Sequence, residues 1–195
     1  GGGGGSDGGG FPRAAAYSAN RLTSRATSFD ISGSCAGTGT RSVSAPAAGT
    51  FEGAPALVKT INETNNFSNC AGSGTVTSQD FYDGNYVVLG FTTPTIAYSM
   101  FVDKVVVPLT VNVGDSGVLG IAKTWTDSSK ARPIGVTTYS YAVEPDGASP
   151  SSVIAKLISR SVDPSNALAF TETETYRLTA SGTLTGTSIF GGTIP

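Results

Sequence analysis

The 195-residue chain contains no histidine. That removes the commonest general base and the commonest metal ligand together, so Ser-His-Asp and Cys-His catalysis are excluded within it. Charge is scarce: Asp, Glu, Lys and Arg make up 13% of residues, roughly half the usual share. Twelve basic against 14 acidic residues leave a net charge of −2, without the concentrated basic stripe that nucleic acid requires. No apolar run approaches the roughly 20 residues that a membrane-spanning helix needs. The cysteines number two, Cys35 and Cys70, too few for a structural zinc site. In an exported chain such a pair reads as a disulfide. It would close a loop of about 36 residues, worth ~3–4 kcal/mol in the chain-entropy model.

What remains is a chain that is 38% hydrophobic, with 26 glycines. Its surface must be carried by Ser, Thr, Asn and Gly, a composition that suits extended strands and tight turns. It opens with five glycines, then Ser6-Asp7 and three more glycines. Such a run has no side chains to bury and loses much entropy on ordering, so residues 1–22 read as a flexible tether reaching about 16–19 Å over ten residues. An artificial linker or tag remnant is the plain alternative. Residues 23–195 read as the folded part.

Short extended segments separated by turn residues fill that part. Val105, Val107, Leu109, Val111 and Val113 alternate along residues 104–113, and this block is expected to form a hairpin with residues 118–126. Placing Gly117 as a left-handed bulge pairs Val113 with Leu119, Val111 with Ile121 and Val107 with Trp125. Residues 134–143 follow, bringing Tyr139 near Ile121 and Tyr141 near Leu119. Residues 152–162 fit helical spacing, but their β-branched content favours a strand. With 168–179 and 183–190 the C-terminal half becomes a six-stranded meander. Residues 56–61, 75–82 and 86–91 are further strands, the last two joined at Asp83-Gly84. The phrases Cys35-Ala-Gly-Thr-Gly-Thr40 and Cys70-Ala-Gly-Ser-Gly-Thr75 suggest two equivalent strand edges joined by the disulfide. The expected architecture is all-β: one domain of two packed sheets, a β-sandwich, with a β-barrel as alternative and two small domains dividing near 93–95 as a third.

Chemistry is sparse. Ser116 with Lys123, and Ser129 with Lys130, lack a recognisable Ser-Lys spacing. No glycine-rich stretch ends as a phosphate loop does, and no cofactor is expected. Glu52, Asp80 and Asp83 follow no calcium-loop pattern, so no metal site is assigned. Glu172 and Glu174 share one face of a strand beside Phe170 and Tyr176, the minimum kit of a glycosidase; the ordinary reading is an exposed stretch or a bulge. Phe81, Tyr82 and Tyr86 around the Asp83-Gly84 turn form a candidate exposed binding platform. Trp125, Tyr139 and Tyr141 read as core. Asn62 and Asn66 open glycosylation sequons, which leaves a eukaryotic secreted origin as a minor alternative.

Several phrases carry a resemblance. They are Cys35–Thr40, Thr50-Phe-Glu-Gly53, Cys70, Tyr82-Asp-Gly-Asn-Tyr86, Tyr139-Ser-Tyr141, Glu144-Pro-Asp146, and Tyr176-Arg177 before Gly182. With the glycine-rich start, the chain resembles poorly characterised envelope lipoproteins of Gram-negative bacteria. The resemblance implies a lipidated Cys preceding Gly1, sorting to the outer membrane and a structural or binding role, with an envelope protein or glycan as partner. It supplies no activity. The expected function is a non-enzymatic envelope domain; the alternative is a glycan-binding or glycan-hydrolysing module using Glu172 and Glu174.

Overall fold

A computed structural model describes residues 10–11 and 25–194. The tether expected over residues 1–22 lies outside the described residues, apart from Gly10 and Phe11. Twelve strands make one sheet: β1 (Arg25–Gly33), β2 (Gly37–Val43), β3 (Ala47–Phe51), β4 (Ala54–Phe67), β5 (Gly74–Tyr82), β6 (Val88–Thr93), β7 (Ala97–Phe101), β8 (Ser116–Trp125), β9 (Pro133–Pro145), β10 (Ser152–Val162), β11 (Leu168–Thr179) and β12 (Leu184–Ile194). The all-β expectation holds, and residues 152–162 are a strand rather than a helix.

The two-sheet sandwich gives way to its alternative. From β4 to β12 each strand pairs antiparallel with the next, and β12 pairs parallel with β1. β1 pairs with β2, and β2 returns to pair with β4. The ladder therefore meets itself, as strand twist allows when consecutive hairpins never leave the sheet, and the molecule is a barrel. β4 makes closure possible by its length. Its first residues hold β3, from Phe51↔Ala54 to Ala47↔Val58, and its later ones hold β2, from Val43↔Ile61 to Gly37↔Phe67. Residues 94–96 form a tight hairpin between β6 and β7 within the same sheet, so no sub-domain boundary falls there.

The two cysteine phrases open β2 and β5, which flank β4 on opposite edges: Gly37 lies opposite Phe67, and Gly74 opposite Asn65. Cys35 and Cys70 are disulfide-bonded with their Cα atoms 5.4 Å apart. The bond ties the β1–β2 turn to the β4–β5 turn, next to the closure.

The valine block is not a strand. Residues 102–115 form an irregular connection from β7 to β8. The physical reason is Pro108, which has no N–H for a ladder and interrupts the alternation at its centre. Val105 and Val111 turn inward, Val111 to 0% exposure, whereas Leu109 is 80% exposed. Gly117 is not a left-handed bulge either. It sits within β8 opposite Tyr141, and the left-handed glycine is Gly114 (φ 91°). β8 pairs instead with β7, placing Tyr98 opposite Trp125. On its other edge Tyr139 meets Gly120 and Ile121 meets Thr138, one residue from the expected register, because a bulge leaves Leu119 out of the ladder.

The core is split. Val111, Val143, Val153 and Leu178 form one cluster, with Phe11, Tyr141 and Leu184 against it. Phe11 also exchanges two backbone hydrogen bonds with Val111, of 2.8 and 2.9 Å. Phe101, Val105, Leu119 and Ala122 form a second cluster, continued by Phe91, Tyr139, Tyr141 and Leu157. The connection 102–115 thus caps one end of the barrel with Val105 and Val111. A third cluster, Phe51, Ala56 and Phe81, takes in Val58, Leu89, Tyr98 and Met100.

Candidate functional site

Above the apolar cap the described residues leave the interior unfilled. A cavity of about 500 Å³ is lined by alternate residues of successive strands: Arg41 and Val43 on β2, Lys59, Ile61 and Glu63 on β4, and Ser78, Asp80 and Tyr82 on β5. Across from these stand Thr137 and Tyr139 on β9, Leu157, Ser159 and Ser161 on β10, and Phe170, Glu172, Glu174 and Tyr176 on β11. The period of two along each strand is what sets these side chains on one face. In β4 the pattern is inverted relative to an ordinary strand: Lys59 and Glu63 face in, while Thr60, Asn62 and Thr64 lie on the other face.

Arg41 crosses the lumen. Its Nε and Nη2 donate to Glu63 Oε2 at 3.0 and 2.8 Å, and its Nη1 donates to Glu174 Oε1 at 2.8 Å. Glu63 lies directly opposite Arg41 in the β2–β4 ladder, whereas Glu174 comes from β11, on the far side of β1 and β12. Tyr176 donates its hydroxyl to Glu174 Oε2. The β11–β12 ladder skips Glu174, a local bulge of the kind that re-aims a side chain. Burial opposes the charge on Arg41, but Glu174, Glu63 and Glu172 outweigh it and hold the guanidinium more firmly ionised than usual. A second charged pair of positions, Lys59 opposite Asp80, lies in the β4–β5 ladder, with Lys59 only 2% exposed and Tyr82 donating to Asp80 Oδ2 at 3.2 Å.

Glu172 differs from its neighbours in having no hydrogen-bond partner among the described residues. Arg41 is already shared between Glu63 and Glu174. Burial pushes the Glu172 carboxyl up to about 7; Arg41 pulls it down, and Glu63 and Glu174 push it up further. Glu172 shares its level of the barrel with Ser159 and Tyr139. Tyr139 packs against Phe101 (5.3 Å between ring centroids) and Phe91 (5.8 Å). Its phenol is pushed well above the ordinary range, by burial first and then by Glu172, Asp80 and Glu174. The site is therefore amphipathic: apolar and aromatic walls toward the cap, carboxylates with one guanidinium across them.

The expected site residues separate. Glu172 and Glu174 are neither exposed nor on a solvent-facing bulge; they point into the lumen, and Tyr82 lines the same cavity. Phe81 faces away from it, stacked on Phe51 at 4.8 Å between centroids, and Tyr86 sits in the β5–β6 turn with φ 60°. The exposed aromatic platform is therefore absent, because adjacent residues of β5 face opposite sides of the sheet. Trp125 does not join Tyr139 and Tyr141; it lies under the ammonium of Lys130, 5.8 Å from the ring. Glu52, Asp80 and Asp83 do not converge. Glu52 binds Lys130 and Tyr98, Asp80 faces the lumen, and Asp83 accepts N–H bonds from Asn85 and Val87 within its turn. Arg41, Lys59 and Glu63 are charged lumen residues the sequence reading missed, and Tyr139, read as core, packs on the Phe101 cluster and also lines the lumen. The available signal was parity: in a chain this poor in charge, Lys59 and Glu63 share one face of β4 and Glu172 and Glu174 one face of β11.

Comparison with protein-family models, with curated proteins and with solved structures found no match to this chain.

Proposed function

We propose that this protein is a binding protein of the bacterial cell envelope, tethered through its glycine-rich N-terminus, that holds a small amphipathic molecule inside its barrel. The observation that carries the reading is the lumen itself. A cavity of about 500 Å³ lies within the range of small-molecule sites, and it joins apolar walls to a few convergent polar groups. A protein needing only a scaffold gains nothing from a half-buried carboxyl that no described residue hydrogen-bonds, which costs stability unless something answers it. The disulfide, the glycine-rich start and the resemblance of several phrases to those of envelope lipoproteins support the location. In cell fractionation the full-length chain is expected with the outer membrane, not with the soluble periplasm.

The glycan-hydrolysing alternative is less well supported. A retaining or inverting pair needs two carboxyls free to act on a sugar, and both oxygens of Glu174 are engaged by Arg41 and Tyr176.

The test is fluorescence binding of N-phenylnaphthylamine, a neutral apolar probe, to the wild type and to Ser159→Phe, which fills the lumen from β10. The reading expects saturable binding by the wild type and its loss in a folded Ser159→Phe. Failure of the wild type to bind, or equal binding by both, would contradict it.

A further inference from the structure

We infer that the lumen is selective for an organic cation, a molecule with a protonated or quaternary amine at one end and a compact apolar or aromatic body at the other. The inference rests on the binding role proposed above and names the ligand's chemistry. Two observations carry it.

The first is the balance of charge around the cavity. Among the described lining groups Arg41 and Lys59 stand against Glu63, Asp80, Glu172 and Glu174, so acids exceed bases. One of the surplus acids, Glu172, stands outside the ion pairs of Arg41. Arg41 is spanned by Glu63 and Glu174, while Glu172 makes no hydrogen bond to any described residue. A carboxylate in such a place is the natural counter-ion for a positive ligand, and an anion there would face repulsion with Arg41 already engaged.

The second is the placement of aromatic rings. Tyr139 stands one ladder position from Glu172 through Ser159, and Phe91 and Phe101 pack on it. Ring faces attract cations, and more strongly where water is excluded. Below them Leu119, Leu157 and Val105 offer an apolar wall toward the cap. An amine end at Glu172 with its body against Phe91, Phe101 and Leu119 meets complementary surface along its whole length.

Among the described residues, the titratable and charged groups that line the cavity with Glu172 are Arg41 from β2, Lys59 and Glu63 from β4, Asp80 and Tyr82 from β5, Tyr139 from β9, and Glu174 and Tyr176 from β11. β10 contributes Ser159 and Ser161, which do not titrate. Arg41 and Tyr139 are shifted further from neutrality, whereas Glu172 titrates at about 7. The cation pairs with the carboxylate, so its affinity rises with pH through this range and falls on acidification.

Calorimetric titration with three ligands of one body and different heads tests this: phenylbutylammonium, phenylbutanol and phenylbutyrate. The wild type is expected to favour the ammonium over the alcohol by about tenfold or more at pH 8, and to reject the carboxylate. Glu172→Gln, nearly isosteric, should remove most of that preference while still binding N-phenylnaphthylamine, which also shows that its lumen is intact. If N-phenylnaphthylamine binds but the ammonium is not preferred, or its preference survives in Glu172→Gln, the cation inference is overturned and the binding role stands. If none of the four ligands binds, both fall. Should Glu172→Gln fail to fold, the wild type decides alone: ammonium affinity must drop between about pH 8 and pH 6, with the alcohol unchanged; a pH-independent ammonium affinity overturns the inference.

Discussion

Glu172 is a side chain whose cost to the fold is measurable. Its carboxyl titrates at about 7 in the folded state against an ordinary value of 4.5. Between those values the folded protein keeps a proton that the unfolded chain has already lost. By linkage, stability therefore decreases as pH rises from about 4.5 to about 7 and stays at the lower level above that. Glu172→Gln lacks the titration. It should exceed the wild type in unfolding free energy at pH 8 by about 1–3 kcal/mol and converge with it near pH 4. Urea unfolding at both pH values measures the difference. A difference that does not change with pH would show that Glu172 is solvated as an ordinary surface carboxylate. Arg41 is the converse case. Removing it leaves Glu63 and Glu174 facing each other across the lumen without a cation, so the network depends on it more than on either acid.

At the scale of elements, the connection 102–115 is the least regular part and closes one end of the lumen. Val105 and Val111 hold it from inside, while Val106 and Leu109 are 69% and 80% exposed. Phe11 seals the far side by pairing with Val111 and packing on the cluster of Val143, Val153 and Leu178. Phe11→Ala keeps the backbone bonds and removes the ring, and should destabilise the protein by about 1–3 kcal/mol. Hydrogen exchange should quicken first at Val111 and Gly114, whose N–H groups bond to Phe11 and Val143. Unchanged exchange at these amides would mean that the cap holds without Phe11. The same segment shows where alternation misleads. Five valines and leucines at period two read as a strand, yet Pro108 breaks the ladder, and the apolar residues divide between cap and solvent. By contrast, residues 152–162 and 168–179 were legible, because β-branched content and turn chemistry at Pro145-Asp-Gly147 and Asp163-Pro-Ser-Asn166 agree.

At the scale of the molecule, the all-β class, the disulfide and the C-terminal run of hairpins from residue 116 onward were legible in local pattern. Closure was not. It depends on β2 pairing with β4 and on β1 lying parallel to β12, contacts between residues such as Asp30 and Gly191 that no local spacing announces. The lumen was illegible for the same reason. Glu172 and Glu174 could be placed on one face of a strand from sequence, but whether that face met solvent or an interior depended on the ring closing. Once it closes, Arg41 and Glu174, 133 positions apart, become hydrogen-bond partners, and an unremarkable pair of acids becomes part of a charged site inside the barrel. A crystal structure of the protein grown with phenylbutylammonium tests this most directly. The account predicts the ligand inside the barrel, its nitrogen against the Glu172 carboxylate and its ring beside Phe91 and Phe101. A ligand bound only on the outer surface, or a lumen collapsed around Arg41 with no room for it, would contradict the account.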